Sequence, residues 1–191
     1  IFSANGIHVY LFEDLRPTPE MSYAIRELGC KGGVILTASN NPKEYNGYKA
    51  YWDDGSHVVP PHDKGIIDQV AKVRVEDIKF TPNEKLIETI GEKVDRAFVE
   101  AAVKHGSYDT TGRDDFKLVY TPIHGTSFKA MIPALELAGF KNVITVTEQM
   151  VPSGDFPTVK SPNPEDPKAL KMATDLAIRE NADMVVGTDP D

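Results

Sequence analysis

The sequence predicts an α/β protein made of two three-layer α/β/α units with mostly parallel, mixed sheets. Short apolar runs alternate with amphipathic runs, and that alternation occurs twice along the chain. Between the two series stands the break Thr81-Pro82-Asn83. Successive β-α-β segments bring parallel strands side by side, because a parallel pair needs a crossover and a helix is the usual one.

The elements follow in order. Ile7 to Phe12 (IHVYLF) reads as a strand, and Thr18 to Gly29 as a helix with Pro19 in its first turn and Gly29 as its stop. Gly33 to Thr37 (GVILT) reads as a short buried strand. Gly47 to Trp52 reads as another, closed by the turn Asp53-Asp54-Gly55. A helix is expected from His62 to Lys72. Glu84 to His105 reads as one long helix, with Leu86, Ile90, Val94, Phe98 and Ala102 four residues apart on a single stripe. The second series has strands at Phe116–Thr121, Asn142–Thr147 and Ala182–Gly187. Its helices are expected over Ser127–Ala138 and from Asp166 or Pro167 to Glu180. Val151 to Pro167 holds five of the 14 prolines and is expected to be irregular. The expected division places residues 1–85 in one domain and 86–191 in the other.

Bulk properties narrow the function. A chain of 191 residues with 40% hydrophobic and 26% charged residues can bury a core without staples. Its net charge of -8 argues against a nucleic-acid backbone as partner, which wants a basic face. No apolar run approaches the roughly 20 residues that span a bilayer, and no signal peptide is visible. The single cysteine, Cys30, forms no disulfide within the chain and reads as a small buried residue. Together these set an expectation of a cytoplasmic protein. Both ends look cut, as in part of a longer protein.

Three segments carry candidate chemistry. After the strand GVILT comes Thr37-Ala38-Ser39-Asn40-Asn41-Pro42. Ligands of parallel α/β sheets bind beyond the carboxyl ends of the strands, so Ser39 can present its hydroxyl there. Phosphoryl transfer needs such a group, with donors and a cation around it. Lys49, ten residues on, can lend a charge or a proton. The alternative is a loop that only turns the chain, since Ser, Asn and Pro favour turns. At the far end the strand Met184-Val185-Val186 runs into Gly187-Thr188-Asp189-Pro190-Asp191. Two carboxylates two residues apart can hold one hard cation, or can be a solvated acidic turn. The third segment is Tyr120-Thr121-Pro122-Ile123-His124-Gly125-Thr126. Its end can offer amides to an anion, though Thr126 or Ser127 as an ordinary helix cap is the preferred reading, with His124 a structural group. The other histidines, His8, His57, His62 and His105, have no metal-ligand spacing.

GVILTASNNPKEYNGYKAYWDDG resembles the active-site serine loop of the α-D-phosphohexomutases, the phosphoglucomutases, phosphomannomutases and their relatives. VYTPIHGT, FPTVKSPNPED and GTDPD are similar to the phosphoglucomutase branch that includes phosphopentomutases, in the same order. The resemblance covers nearly the whole chain. It implies the latter part of a first domain and most of a second, out of four around a cleft. The earlier arginine loop, the sugar-recognising third domain and the phosphate-binding fourth lie outside the match.

The resemblance further implies an isomerase acting on hexose or pentose phosphates through a phosphoserine at Ser39 and a bisphosphorylated sugar. Magnesium would be held by Ser39, Asp189 and Asp191, the first two aspartates of a D-x-D-x-D-R loop. Ser39, Lys49 and Asn40 would be the catalytic group, with Thr37, Asn41 and His124 toward the substrate phosphate. The family usually has histidine where Asn40 stands. Asparagine can hydrogen-bond a phosphate oxygen but exchanges no proton near neutral pH, which would slow transfer by about 10²- to 10⁴-fold if that histidine is an acid or base. Two other readings stand beside this one: a haloacid-dehalogenase-type phosphatase with Asp189 as nucleophile, and a non-catalytic domain that binds a sugar phosphate or a partner chain.

Overall fold

A computed structural model describes residues 1–106 and 109–191. Its α/β architecture is the expected one, in two parts. The first part runs β1 (Val9–Phe12), α1 (Thr18–Glu27), β2 (Gly32–Thr37), β3 (Gly47–Trp52) and α2 (His62–Val70). It then takes up β4 (Ile87–Ile90), which lies parallel to β1 with Val9 opposite Ile87. β2 and β3 form an antiparallel pair in which Ile35 faces Lys49 and Thr37 faces Gly47. β1 and β2 are not hydrogen-bonded to each other. They meet instead under α1, where Phe12 and Ile35 both pack on a buried cluster of Met21, Ile25 and Tyr51. Cys30, expected to be buried, is half-buried against the same cluster, and desolvation pushes its thiol pKa up.

α3 (Glu92–Gly106) packs on both α1 and α4 (Phe128–Leu137). The second part continues with β5 (Lys117–Thr121), α4, β6 (Asn142–Thr145), α5 (Lys171–Glu180) and β7 (Met184–Gly187). Its sheet is parallel, in the order β6-β5-β7, so β5 is central. Val119 points to α5, where it joins Val146, Ala173 and Ala177 in a buried cluster. The alternation of a strand sends Tyr120 to the opposite face, where its hydroxyl meets Ser127 Oγ at 2.8 Å, one residue before α4. Helices therefore cover both faces of this sheet. Among the described residues no helix is long and apolar enough to cross a membrane.

The long helix expected over 84–105 is a correction. Its first third is a 3₁₀ turn at Glu84–Leu86 followed by β4, and the helix begins only at Glu92. Ile87, Thr89 and Ile90 are β-branched, and β1 offers them a ladder, so tertiary pairing overrides the helical period. Gly91 separates strand from helix, and a Cβ there would meet the Glu13 carboxylate at 2.7 Å. The four-residue stripe also drifts. Val94 is buried, but Ala102 is exposed, and Val99 takes the inner position. Steps of four overshoot a 3.6-residue turn, so such a row rotates off the core within three steps. The last helix starts at Lys171 rather than at 166 or 167. Asn163 and Asp166 side chains accept from Glu165 N and Lys168 N and hold the preceding segment in turns. The expected division at residues 85 and 86 falls just before β4, whose partner is β1.

Candidate functional site

The carboxyl ends of β2 and β7 meet. β2 delivers Ser39 two residues past its last rung, and β7 delivers Asp189 and Asp191 two and four residues past its own. Ser39 has φ +55, a left-handed conformation that costs a non-glycine residue about 1–2 kcal/mol. Local bonds maintain it: Ser39 N donates to Thr37 Oγ1 at 2.8 Å, and Asn41 N donates to Ala38 O at 3.0 Å. The turn lifts the Ser39 hydroxyl to the acidic loop. Ser39 Oγ lies 2.9 Å from Asp189 Oδ2 and 3.0 Å from Asp191 Oδ1. Asn40 Nδ2 donates to the other Asp189 oxygen at 2.9 Å, and Lys49 Nζ to the other Asp191 oxygen at 2.7 Å. Lys49 arrives there because β3 pairs with β2 and carries it back beside the serine loop.

Five of the residues singled out in the sequence are thus in one hydrogen-bonded group: Ser39, Asn40, Lys49, Asp189 and Asp191. Thr37 supports the serine through its hydroxyl rather than facing outward. Asn41 is exposed and lines a cavity of about 250 Å³ beside the group, together with Asn40, Lys43, Asp155, Phe156 and Lys160. Lys43 Nζ and Asp155 Oδ1 close one side of it at 2.6 Å. The role of Asn40 toward Asp189 was invisible in the sequence, because the partner is 149 residues away.

His124 is buried, and its ring is fully engaged. Nδ1 meets Val151 O and Nε2 meets Thr158 Oγ1, each at 2.9 Å. Thr158 Oγ1 in turn accepts from Gln149 Nε2 at 2.9 Å, and Gln149 Oε1 accepts from Thr121 Oγ1 at 2.6 Å. Every donor in this chain has one acceptor when Nδ1 carries the proton. Both ring nitrogens thus bond to the 149–158 segment. Sequence reasoning missed Gln149, which is fully buried at the centre of that network.

The electrostatics of the acidic pair are asymmetric. Burial first, and the adjacent Asp191 carboxylate next, raise the pKa of Asp189 against the pull of Ser39 and Asn40. Burial also opposes ionisation of Asp191, but Lys49, Asp189 and Ser39 together outweigh it and lower that pKa. Ser39 has one hydroxyl proton for two carboxylate contacts. When it points to one aspartate, lone pairs face each other at the second. Among the described residues no three His, Cys, Asp or Glu side chains cluster as a metal site. Two carboxylates and a serine oxygen do converge, an all-oxygen set suited to a hard divalent cation, which would relieve both the lone-pair contact and the like-charge pair.

The strand-end serine and the strand-end Asp-Pro-Asp, far apart in the sequence, are thus joined in one group. The comparisons with known proteins are specific. The family models for phosphoglucomutase/phosphomannomutase α/β/α domain I and domain II match residues 1–77 and 96–191. The chain belongs to the phosphoglucomutase/phosphomannomutase family. It is 38% identical over 199 residues to glucose 1,6-bisphosphate synthase of Homo sapiens and 34% identical over 198 residues to phosphopentomutase of Homo sapiens. All of this chain is covered in both cases, and it spans 32% of the length of each relative. A phosphoglucomutase/phosphomannomutase family protein of Burkholderia thailandensis shares the fold, with a TM-score of 0.74 and 20% identity over 100% of this chain and 39% of that one.

Proposed function

We propose that the protein containing this chain is a sugar-phosphate mutase, and that Ser39 carries the phosphoryl group. The observation that carries the proposal is the convergence of Ser39 Oγ with Asp189 and Asp191 within 3.0 Å, across 150 and 152 residues of sequence. The names of the relatives, a glucose 1,6-bisphosphate synthase and phosphopentomutases, support a hexose or pentose phosphate as substrate and a sugar bisphosphate as intermediate. In this reading phosphorylated Ser39 gives its phosphoryl group to a free hydroxyl of the sugar monophosphate. The Ser39 O–P bond breaks, a new P–O bond forms on the sugar, and the proton of the sugar hydroxyl ends on the departing Ser39 oxygen. The bisphosphate then turns in the cleft and returns its other phosphoryl group to Ser39.

The chain's own residues have definite parts in this. The left-handed turn at Ser39 fixes the direction of Oγ. Asn40 holds one Asp189 oxygen and so orients the carboxylate. Lys49 sets a cation beside the carboxylate that touches Ser39, where negative charge gathers during transfer. Magnesium is the proposed ion, with Ser39, Asp189 and Asp191 as its protein ligands; when bound it would offset the charge on the phosphoryl oxygens. Family membership favours Ser39 over Asp189 as the phosphoryl carrier. The test is the Ser39→Ala variant of the full-length protein, assayed for interconversion of glucose 1-phosphate and glucose 6-phosphate and of the corresponding ribose phosphates. Turnover is expected to vanish; a variant that retained it would remove Ser39 from the mechanism.

A further inference from the structure

The sequence placed Thr126 or Ser127 as the cap of α4, yet neither hydroxyl caps that helix. Ser127 Oγ is shared with Tyr120 OH at 2.8 Å and Thr188 Oγ1 at 2.6 Å. Thr126 is turned toward the acidic loop. Its backbone N donates to Pro190 O at 2.9 Å, and its hydroxyl donates to the same oxygen at 3.1 Å. Pro190 stands between Asp189 and Asp191, is buried, and has no N–H through which the chain could anchor it. The β5–β7 ladder ends just before, with Thr188 N on Thr121 O at 3.2 Å. Past that point, among the described residues, the loop's backbone is anchored through the doubly bonded Pro190 carbonyl.

The approach is close enough to demand glycine next door. A Cβ on Gly125 would lie 2.5 Å from Pro190 Cα and 2.7 Å from Pro190 O. The segment is brought there by two consecutive left-handed residues, Ile123 at φ +48 and His124 at φ +60. A β-branched residue in that region is unusual, and such strain persists only where the surroundings over-determine it. Here the restraints are Ile123 N on Thr121 Oγ1 at 3.0 Å, His124 N on Gln149 O at 2.9 Å and the occupied His124 ring.

We propose that Thr126 is a positioning residue for the acidic loop, fixing the Pro190 carbonyl so that Asp189 and Asp191 both face Ser39, with Gly125 admitting the contact. The proposal rests on the reading of Asp189 and Asp191 as cation ligands. Its test uses the full-length protein and Mn²⁺ alone as probe, with binding followed by electron paramagnetic resonance and folding by thermal denaturation. Thr126→Val removes the hydroxyl bond and keeps the shape; it is expected to weaken Mn²⁺ binding about 10-fold, the lower end for a residue that orients a ligand. Thr126→Ser restores the bond and is expected to restore affinity. Gly125→Ala, which must displace Pro190, is expected to lose more than Thr126→Val. Unchanged Mn²⁺ affinity in Thr126→Val, whatever its thermal stability, would overturn the positioning role. The double variant Asp189→Asn, Asp191→Asn separates the two ideas: its loss of Mn²⁺ binding supports the ligand reading, and retained binding would remove that reading and the positioning role with it.

Discussion

The two halves of the molecule hold the serine loop and the acidic loop in different ways. In the second half β5 is central, and Leu118, Val119, Tyr120 and Thr121 are all buried. In the first half no residue of β1 or β2 is buried, and Leu11 and Leu36 are 55% and 70% exposed. The acidic loop therefore leaves a packed sheet and is tied by Thr126, while the serine loop leaves a two-stranded hairpin whose main support is α1. Positional accuracy comes from the second half. The first half reaches it through bonds to the aspartates and through α3, which packs on helices of both.

The largest effect that would sharpen this contrast is expected at Arg16. Its side chain is 2% exposed and donates through Nε and Nη2 to both Asp95 oxygens at 2.8 Å, tying the segment after β1 to α3. Removing one partner of a buried ion pair strands the other, so Arg16→Ala is expected to cost about 3–5 kcal/mol in urea denaturation. A loss under about 1 kcal/mol, the worth of an exposed pair, would mean that the two halves are not joined there.

Next come the two strands themselves. Leu118→Ala in β5 is expected to cost about 2–5 kcal/mol by opening a cavity. Leu36→Ala in β2 is expected to fall within about 0.5 kcal/mol of the unaltered protein, as for an exposed site. Equal losses at the two positions would break the comparison.

A smaller effect is expected from Glu20, which is fully buried in α1 and whose oxygens accept no hydrogen bond among the described residues. Burial first, then the Asp95 carboxylate of α3, push its pKa up to about 8 from an ordinary 4.5, with Arg16 and Lys129 of α4 pulling the other way. The folded state thus binds a proton that the unfolded chain releases. That contribution to stability is fully present below 4.5 and is lost as the pH rises through 8. The denaturation midpoint is expected to fall between about pH 5 and about pH 8.5, and Glu20→Gln, which mimics the protonated carboxyl, is expected to fall less. Parallel profiles would place the titrating group elsewhere.

Much of this was legible in the sequence, for physical reasons that differ by site. The strand runs and the loops after them follow from local pattern, so Ser39, Asp189 and Asp191 could be placed at strand ends before any contact was known. Three things could not be read. Ile87 to Ile90 carries a helical spacing, and only its partner β1, some 78 residues earlier, makes it a strand. The bonds on the His124 ring come from Val151 and Thr158, 27 and 34 residues along the chain, so local pattern names no partner for it. Asn40 and Thr126 act on Asp189 and Pro190, residues far along the chain, and local rules assign them only to turns and caps.

The most direct test of the central claim is peptide mass mapping of the full-length protein after incubation with glucose 1,6-bisphosphate and magnesium. One added phosphate on the peptide carrying Ser39, absent from the Ser39→Ala variant, is the predicted result. A phosphate found only on another peptide, or none on a protein that still interconverts sugar phosphates, would contradict Ser39 as the carrier.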